Sequence, residues 1–156
     1  MRYLALSLFA SFALACGYPD PGLHARVEYW ARAFGLDPLL LGAVVWVESR
    51  YCVGAIGQAG EVGPGQVKPT TALGLGVDPR YLSHPDHNLY ATARYLRELY
   101  LTFGDWTLAL AAYNRGPGRV RREGVDVKGQ AYVERVLAVY AYWKRALAQR
   151  KRGGSS

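Results

Sequence analysis

The sequence predicts an all-α fold, one globular domain of about six or seven helices. Apolar residues recur at helical spacing along most of the chain, and prolines, aspartates and glycines stand where helices would begin and end. No segment shows sustained alternation of apolar and polar residues beside hairpin turns. The chain has 156 residues, of which 51% are hydrophobic, so it can build one core but hardly two.

Residues 1–15 have the features of a signal peptide. Arg2 supplies a positive start, residues 4–14 are apolar but too short to span a bilayer, and residues 13–15 (Ala-Leu-Ala) form a small-x-small cleavage site. We therefore predict an exported protein of the periplasm or cell envelope.

Cys16 and Cys52 are the only two cysteines. In an oxidising compartment they would pair, and the loop-closure model gives such a disulfide roughly 3–4 kcal/mol of stabilisation. The alternative is lipid attachment at Cys16, directly after the apolar run, which would give membrane attachment. Ala13 stands where a lipoprotein signal usually has Leu. Both alternatives stay open at this point.

The remaining chain divides into a linker at 16–24, a domain at 25–149 and a disordered basic tail at 150–156. Helix boundaries follow from capping residues, as where Asp37 precedes Pro38 at the start of the second helix. The predicted helices are 21–34, 38–48, 69–75, 86–103, 106–113, 119–123 and 130–149.

Glu48 ends the second helix on its apolar side. It lies seven, four and three residues after Leu41, Val44 and Val45, so all four share one face. A carboxylate there loses hydration unless it is paired or takes up a proton. Two interpretations follow: a structural glutamate paired with a nearby arginine, or a general acid with a raised pKa.

Polar groups also follow other helix ends, beside glycine-rich breaks. Residues 51–65 contain five glycines and one proline, which suits either a flexible loop or a wall that lets backbone approach a ligand. Asn114 on its own would most simply be a helix C-cap with positive φ. The three polar clusters are Glu48-Ser49, Gln66 and Tyr113-Asn114.

Together these clusters resemble a known family. Four segments recur in order with its gaps: ESRYCVGAIGQAGEVGPGQVKPTTA, HNLYATARYLRELY, ALAAYNRGPGRV and AYVERVLAVY. They are similar to family 1 of the lytic transglycosylases, the soluble lytic transglycosylase domain with a lysozyme-like fold. The resemblance covers about residues 25–145.

The resemblance implies cleavage of the β-1,4 bond between N-acetylmuramic acid (MurNAc) and N-acetylglucosamine (GlcNAc) in peptidoglycan, leaving 1,6-anhydro-MurNAc ends. Glu48 matches the family's single catalytic acid/base. Tyr132 matches an aromatic residue that approaches this carboxyl.

The other matched positions are implied to bind substrate. Ser49 matches a serine that positions the substrate or the acid, and Gln66 matches a sugar-contacting glutamine. Tyr113 and Asn114 match the pair that lines the groove. One departure is the sequence after Gly63, where the family usually has two apolar residues and this chain has Pro64 and Gly65. We interpret this as the loss of an apolar side chain from the cleft wall, which would affect sugar affinity.

Two alternatives remain for the function. Glu61 in the glycine-rich loop could be a second carboxylate, as in a hydrolytic goose-type lysozyme. The domain could also be a non-catalytic peptidoglycan-binding module.

The formal net charge is +7, and most of the excess lies in residues 144–152. A basic surface suits an anionic partner such as cell-wall polymer, nucleic acid or lipid headgroups. The family resemblance implies peptidoglycan strands as the partner, and we expect no nucleic acid. No cofactor or metal is predicted, because Pro85 interrupts the helix that His84 and His87 would need for a close-set metal pair. We expect a monomer.

Overall fold

The computed structural model describes residue 16 and residues 20–154. The predicted signal peptide, residues 1–15, lies outside the described residues. The described part contains seven α-helices and one short 3-10 helix, which confirms the all-α prediction. The helices are α1 (Pro21–Ala33), α2 (Pro38–Ser49), α3 (Pro69–Gly74), the 3-10 helix (Pro79–Tyr81), α4 (Pro85–Phe103), α5 (Trp106–Arg115), α6 (Pro117–Glu123) and α7 (Val127–Gly153).

Proline and aspartate set most helix starts. Five of the seven α-helices begin with proline, whose fixed φ suits the first helical position. The N-cap aspartates of α1, α2, α5 and α7 accept a hydrogen bond from a backbone N–H of the first turn. Gly104 and Gly116 follow α4 and α5 with positive φ. Glycine adopts this backbone conformation at little energetic cost, so both helices end there.

Helix α2 lies at the centre of the core. Residues 40–45 are all buried, and α2 packs against α1 on one side and α7 on the other. Helix α5 packs against α4 and α7 and is buried at residues 109–112. The strongly apolar composition of these two short helices thus reflects contact on several sides rather than on one face.

A smaller apolar cluster fixes the segment between α2 and α4. Its buried members are Val67, Ala72, Leu75, Val77, Leu82 and Ala91. Between α2 and this cluster, the glycine-rich loop forms only isolated bridges, from Val62 to Ile56 and to Val67. The loop is therefore held at both ends.

Two predicted boundaries are wrong. The predicted linker 16–24 overlaps the predicted helix 21–34, and the helix prediction is confirmed, because α1 begins at Pro21, capped by Asp20. The predicted disordered tail 150–156 is wrong for residues 150–153, where α7 continues. Arginine and lysine are good helix formers, and no helix breaker occurs before Gly153.

Helix α7 also begins earlier than predicted. Asp126 caps it, and its carboxylate accepts from the N–H of Gly129, so the helix starts at Val127 rather than Gln130. Its buried residues, Gly129, Tyr132, Val133 and Val136, all lie before its midpoint, and Leu137 is 36% exposed. The second half of α7 therefore borders the domain rather than crossing its core. Within residue 16 and residues 20–154, no helix is long and apolar enough to cross a membrane.

A disulfide joins Cys16 to Cys52, with 5.3 Å between their Cα atoms. Cys52 is 5% exposed and follows the end of α2. The bond closes a loop with a sequence separation of 36 residues and holds Cys16 next to the end of α2.

Reduction of this disulfide is expected to lower the free energy of unfolding by about 3–4 kcal/mol, because the reduced unfolded chain gains loop entropy. Urea unfolding with and without dithiothreitol measures the difference. The Cys16→Ser/Cys52→Ser double variant is the control, since dithiothreitol should leave its stability unchanged. Equal stability of the oxidised and reduced wild type would contradict the prediction.

Candidate active site

The carboxyl of Glu48 meets the hydroxyl of Tyr132 between α2 and α7. Tyr132 Oη donates a hydrogen bond of 2.7 Å to Glu48 Oε1. Tyr132 is 1% exposed, and Glu48 is partly buried. The packing of α2 against α7 thus brings together two side chains that are 84 residues apart.

Burial raises the pKa of Glu48 from 4.5 to about 7. The Tyr132 hydrogen bond and the charge of Arg135 lower this pKa, while the negative charge of Glu61 raises it. Among the described residues, no arginine forms an ion pair with Glu48. Of the two interpretations of the sequence, the geometry therefore favours the carboxyl with a raised pKa over the paired structural glutamate.

Ser49 is turned away from solvent and connects α2 to the glycine-rich loop. Its Oγ donates to the carbonyl of Pro64 at 2.7 Å and accepts from the N–H of Cys52 at 3.2 Å. The residue is 6% exposed. This geometry suits a role in positioning the acid and the loop rather than direct contact with a sugar.

Gln66 and Tyr113 both bond to the backbone of the glycine-rich loop, and Tyr113 connects it to α5. Gln66 has a φ of 49°, and its Nε2 donates to the carbonyls of Gly63 and Ala55 at 2.9 and 3.2 Å. Tyr113 Oη donates to the carbonyl of Gly65 at 2.7 Å. Burial raises the pKa of Tyr113 well above 10, and the nearby charge of Glu48 raises it further, so the hydroxyl stays protonated.

Asn114 is exposed in the last turn of α5. It is not the predicted C-cap, because the helix continues to Arg115 and Gly116 takes the positive φ, 88°. Its amide is therefore available at the cleft.

The predicted site residues Gln66, Tyr113 and Asn114 line a polar cleft of about 300 Å³, and the charge of Glu48 acts on Tyr113 in its wall. Its wall includes Gln66, Lys68, Thr71, Tyr95, Tyr113 and Asn114. A larger cavity of about 580 Å³ lies between α1 and the second half of α7, but it contains none of the predicted site residues. We place the site at the smaller cleft, because three predicted site residues line it and the charge of Glu48 raises the pKa of one of them, Tyr113.

Asn88 anchors the loop and was not predicted from the sequence. It is fully buried in α4; its Oδ1 accepts from the N–H of Gly65 at 2.9 Å, and its Nδ2 donates to the carbonyls of Val62 and Leu82 at 2.7 and 3.0 Å. Thr92, one turn later, is buried too. Two polar residues four apart on the inner face of a helix are the signal that could have revealed this anchor.

Gly65 corrects the interpretation of the glycine-rich motif. A Cβ added at Gly65 would stand 1.8 Å from Thr92 Oγ1, so it would point into α4. A side chain at position 65 would not face the cleft, so Gly65 does not remove an apolar group from the cleft wall. Glycine is required there because α4 approaches the loop backbone too closely for any other residue.

Gly65→Ala is expected to destabilise the fold by about 2–3 kcal/mol, because the clash involves a buried residue in a helix. Gly74→Ala is the matched control: no atom lies within 4 Å of its added Cβ, and stability should be unchanged or slightly higher. Chemical denaturation of both variants measures the effect. Equal stability of the two variants would contradict the packing described for Gly65.

Comparison with known proteins agrees with this arrangement. The family model described as Transglycosylase SLT domain matches residues 26–142, most of the chain. This chain belongs to that family. The chain therefore carries a lytic transglycosylase domain, and its similarity to this family, stated above from sequence motifs, is confirmed.

Two sequence relatives and two solved structures illustrate the match of this lytic transglycosylase domain. The chain is 32% identical over 130 residues to the X polypeptide of Escherichia coli, covering 72% of this chain and 70% of that protein. It is 39% identical over 100 residues to the Transglycosylase of Enterobacteria phage PRD1, covering 60% and 37% of the two chains.

The solved structures share the lysozyme-like helical fold. An inactive mutant of the lytic transglycosylase Slt from Pseudomonas aeruginosa has a TM-score of 0.71 and 26% identity, covering 89% of this chain and 27% of that one. The 70-kDa soluble lytic transglycosylase Slt70 of Escherichia coli has a TM-score of 0.69 and 24% identity, covering 79% and 24%. This chain thus spans about a quarter of each solved transglycosylase.

Glu61 lies in the loop of the transglycosylase domain and has its own partners. Its Oε2 accepts from the N–H of Ala59 at 3.0 Å, and its Oε1 is 3.9 Å from Lys68 Nζ. Its negative charge nevertheless reaches Glu48, since it contributes to the raised pKa there. Glu61 is therefore close enough to influence the site electrostatically.

The described part of the transglycosylase domain has no group of three or more metal-ligating side chains. His84 and His87 do come together, with their Nδ1 atoms 3.4 Å apart. The expectation that Pro85 would separate them is wrong, because His84 is the N-cap of α4 and remains within one turn of His87.

Tyr132→Phe is expected to raise the pKa of Glu48 above about 7. The hydrogen bond from Tyr132 stabilises the charged carboxylate, and the variant removes it. The alkaline limb of the activity profile should then move to higher pH. Tyr140→Phe, on the same helix but bonded to Asp37, is the control and should leave that limb in place. An alkaline limb that moved to lower pH in Tyr132→Phe would contradict the assignment.

Proposed function

We propose that this domain cleaves the MurNAc-GlcNAc β-1,4 bond of peptidoglycan and forms 1,6-anhydro-MurNAc ends. The observation that supports this most is the carboxyl of Glu48, which has a pKa of about 7 and whose charge acts on Tyr113 in the wall of the polar cleft. A group with that pKa exists in both protonation states near neutral pH. It can therefore act as acid and then as base within one turnover.

In the first step, protonated Glu48 donates its proton to the glycosidic oxygen, and the bond from this oxygen to C1 of MurNAc breaks. Positive charge develops at C1, where the carbonyl of the substrate's own N-acetyl group can stabilise it. In the second step, the C6 hydroxyl of the same sugar attacks C1, and the Glu48 carboxylate removes the hydroxyl proton. No water is consumed, and Glu48 ends as it began.

The neighbouring groups have distinct roles in this proposal. Tyr132 holds the carboxyl in place and moderates its pKa, and Ser49 fixes the end of α2 to the loop. Gln66, Tyr113 and Asn114 bind sugar along the cleft wall, a role that rests on their positions and on the family motif.

A hydrolytic lysozyme using Glu61 is the second candidate, favoured by the effect of the Glu61 charge on Glu48. In that mechanism Glu61 would activate a water. The contacts of Glu61 with Ala59 and Lys68 instead suit a loop-stabilising role. The third candidate is a wall-binding module without turnover.

Digestion of purified peptidoglycan distinguishes the three candidates. We expect muropeptides with 1,6-anhydro ends, each lighter by one water than the hydrated product. Hydrated reducing ends would support the lysozyme, and binding without new ends would support the module. Glu61→Gln adds a matched control, because it should keep the anhydro product if Glu48 acts alone.

The same proposal places the protein outside the cytoplasm, in the periplasm or cell envelope, with its disulfide formed. Mass spectrometry of the mature N-terminus tests this directly. A chain that begins at Cys16 without added lipid and with the disulfide intact is expected. A diacylglycerol adduct on Cys16 would show lipid attachment instead, and an uncleaved chain would contradict the predicted processing.

A further inference from the structure

We propose that the C-terminal part of α7, residues 142–153, docks this domain on an anionic phospholipid surface. We call this segment the α7 tip. Its cations meet the lipid headgroups, and its exposed apolar side chains enter the boundary between headgroups and acyl chains. Such docking presupposes the proposed export of the protein, but it is independent of the chemistry at Glu48.

The α7 tip carries most of the excess positive charge of the chain. Its five cations account for five units of the formal net charge of +7, and no acidic residue occurs between Glu134 and Ser156. Within residue 16 and residues 20–154, Arg145, Arg150 and Arg152 form no ion pair. Their charges can therefore attract an anionic surface. The five cations are Lys144, Arg145, Arg150, Lys151 and Arg152.

These cations flank an apolar face of the same helix. The side of α7 that lines the cavity of about 580 Å³ consists of Tyr142, Trp143, Ala146, Leu147 and Arg150. At about 100° per residue, the two lysines fall on one side of this face, and Arg145 and Arg152 fall on the other. An apolar face with basic flanks is the arrangement of helices that lie in the plane of a membrane interface.

Part of this apolar face is open to solvent. Tyr142 is 64% exposed and Leu147 is 43% exposed. Both line the cavity, so the domain itself does not fill the space between α7 and α1. Among the described residues of the cavity wall, the one acid is Glu28, which is paired with Arg32 at 2.7 Å. The open face therefore combines apolar surface with net positive charge.

Aromatic side chains extend this surface to the end of α2. Trp46 is 39% exposed, and its ring packs edge-on against Trp143 with 6.4 Å between the centroids. The guanidinium of Arg50 lies over the Trp46 ring, 5.7 Å from its centroid. Tryptophan and tyrosine favour the headgroup level of a membrane, because each joins an apolar ring to a polar N–H or O–H. Trp46 and Tyr142 therefore suit the boundary that Leu147 enters.

A phospholipid surface matches both features of the α7 tip. Its negative headgroups attract the cations, and the acyl layer beneath them accepts Tyr142 and Leu147. A soluble polyanion, such as nucleic acid or an anionic wall polymer, matches the cations but leaves both apolar side chains in water. The combination of charge with exposed apolar area therefore favours a lipid surface.

Co-sedimentation with vesicles of phosphatidylglycerol and phosphatidylcholine measures this docking, with pure phosphatidylcholine vesicles as the neutral comparison. We expect the disulfide-bonded protein to bind only the anionic vesicles. The triple variant Arg145→Gln/Arg150→Gln/Arg152→Gln should bind them about 100-fold more weakly, because each cation near the surface contributes about fivefold. Tyr142→Ser/Leu147→Ser, which keeps every charge, should lose about tenfold in affinity.

Arg121→Gln/Arg122→Gln/Lys128→Gln is the matched control, because it removes three charges from exposed positions outside the α7 tip. Its affinity should stay within about twofold of the wild type, and circular dichroism checks the fold of every variant. No binding to anionic vesicles, equal binding to neutral ones, or equal affinity of the arginine variant and the control would overturn the inference. Wild-type affinity of Tyr142→Ser/Leu147→Ser would show attraction by charge alone, as for a wall polymer, and would overturn it too. Failure to form anhydro ends would instead contradict the proposed function and would leave vesicle binding unchanged.

Discussion

Glu48→Gln is expected to reduce turnover of peptidoglycan about 10³-fold or more, because it removes the only group assigned to donate and accept the proton. The fold should remain intact, since the glutamine carbonyl can still accept the hydrogen bond from Tyr132. Release of soluble muropeptides measures turnover, and circular dichroism checks the fold. Glu61→Gln, which removes the neighbouring carboxylate, should retain most of the activity.

The same variant has a stability signature whose sign follows from the pKa. The folded-state pKa of Glu48, about 7, is above its ordinary value of 4.5, so the folded protein holds this proton more tightly than the unfolded chain. The resulting stabilisation is complete below pH 4.5 and is lost as the pH rises through 7. A neutral glutamine avoids the loss, so Glu48→Gln should be more stable than the wild type at pH 8, by up to about 3 kcal/mol, and similar at pH 4.

Urea unfolding at the two pH values measures this difference. A variant that remained active, or one that was less stable than the wild type at pH 8, would contradict the role given to Glu48.

Asn88→Ala is expected to destabilise the domain by about 4–6 kcal/mol. The change leaves the N–H of Gly65 and the carbonyl of Leu82 without their buried partner, at on the order of 1–3 kcal/mol each, and it leaves a cavity at a fully buried position. The carbonyl of Val62 loses one bond but keeps the one from the N–H of Val67. Because Gly65 also accepts from Tyr113, activity should fall even where the protein is still folded.

Asn114→Ala is the matched control for stability. Asn114 is exposed, so its truncation should change the free energy of unfolding by less than about 0.5 kcal/mol. Chemical denaturation gives both values, and muropeptide release at low temperature gives the activity of the folded fraction. Destabilisation of Asn88→Ala by no more than the control would show that the loop has another anchor.

The helices were predictable because their boundaries depend on capping residues and prolines within a few positions of each helix end. Asp37 and Pro38 begin α2 where expected, and the placement of Glu48 on the side of Val44 and Val45 follows from helical spacing. The end of α7 was less predictable, because residues 150–153 contain no helix breaker and helix formation there depends on continuation from the preceding turns.

The candidate site was predictable only in part. Spacing within one helix could place Glu48 near the core, but the contact with Tyr132 depends on how α2 packs against α7. The contacts of Gly65 with Asn88 and Thr92 likewise join segments that are distant in the sequence. The sequence alone therefore could not show which of the loop glycines packs against α4. Helix caps are local, whereas these contacts are set by tertiary packing.

The central claim is that Glu48 holds its proton at neutral pH without substrate. Titration of the side-chain carboxyl carbon by ¹³C NMR, with Glu48→Gln used to assign the resonance, measures this directly. A midpoint near pH 7 is the predicted result. A midpoint near pH 4 in the sugar-free protein would contradict the claim, since the carboxyl would then be charged when the substrate arrives.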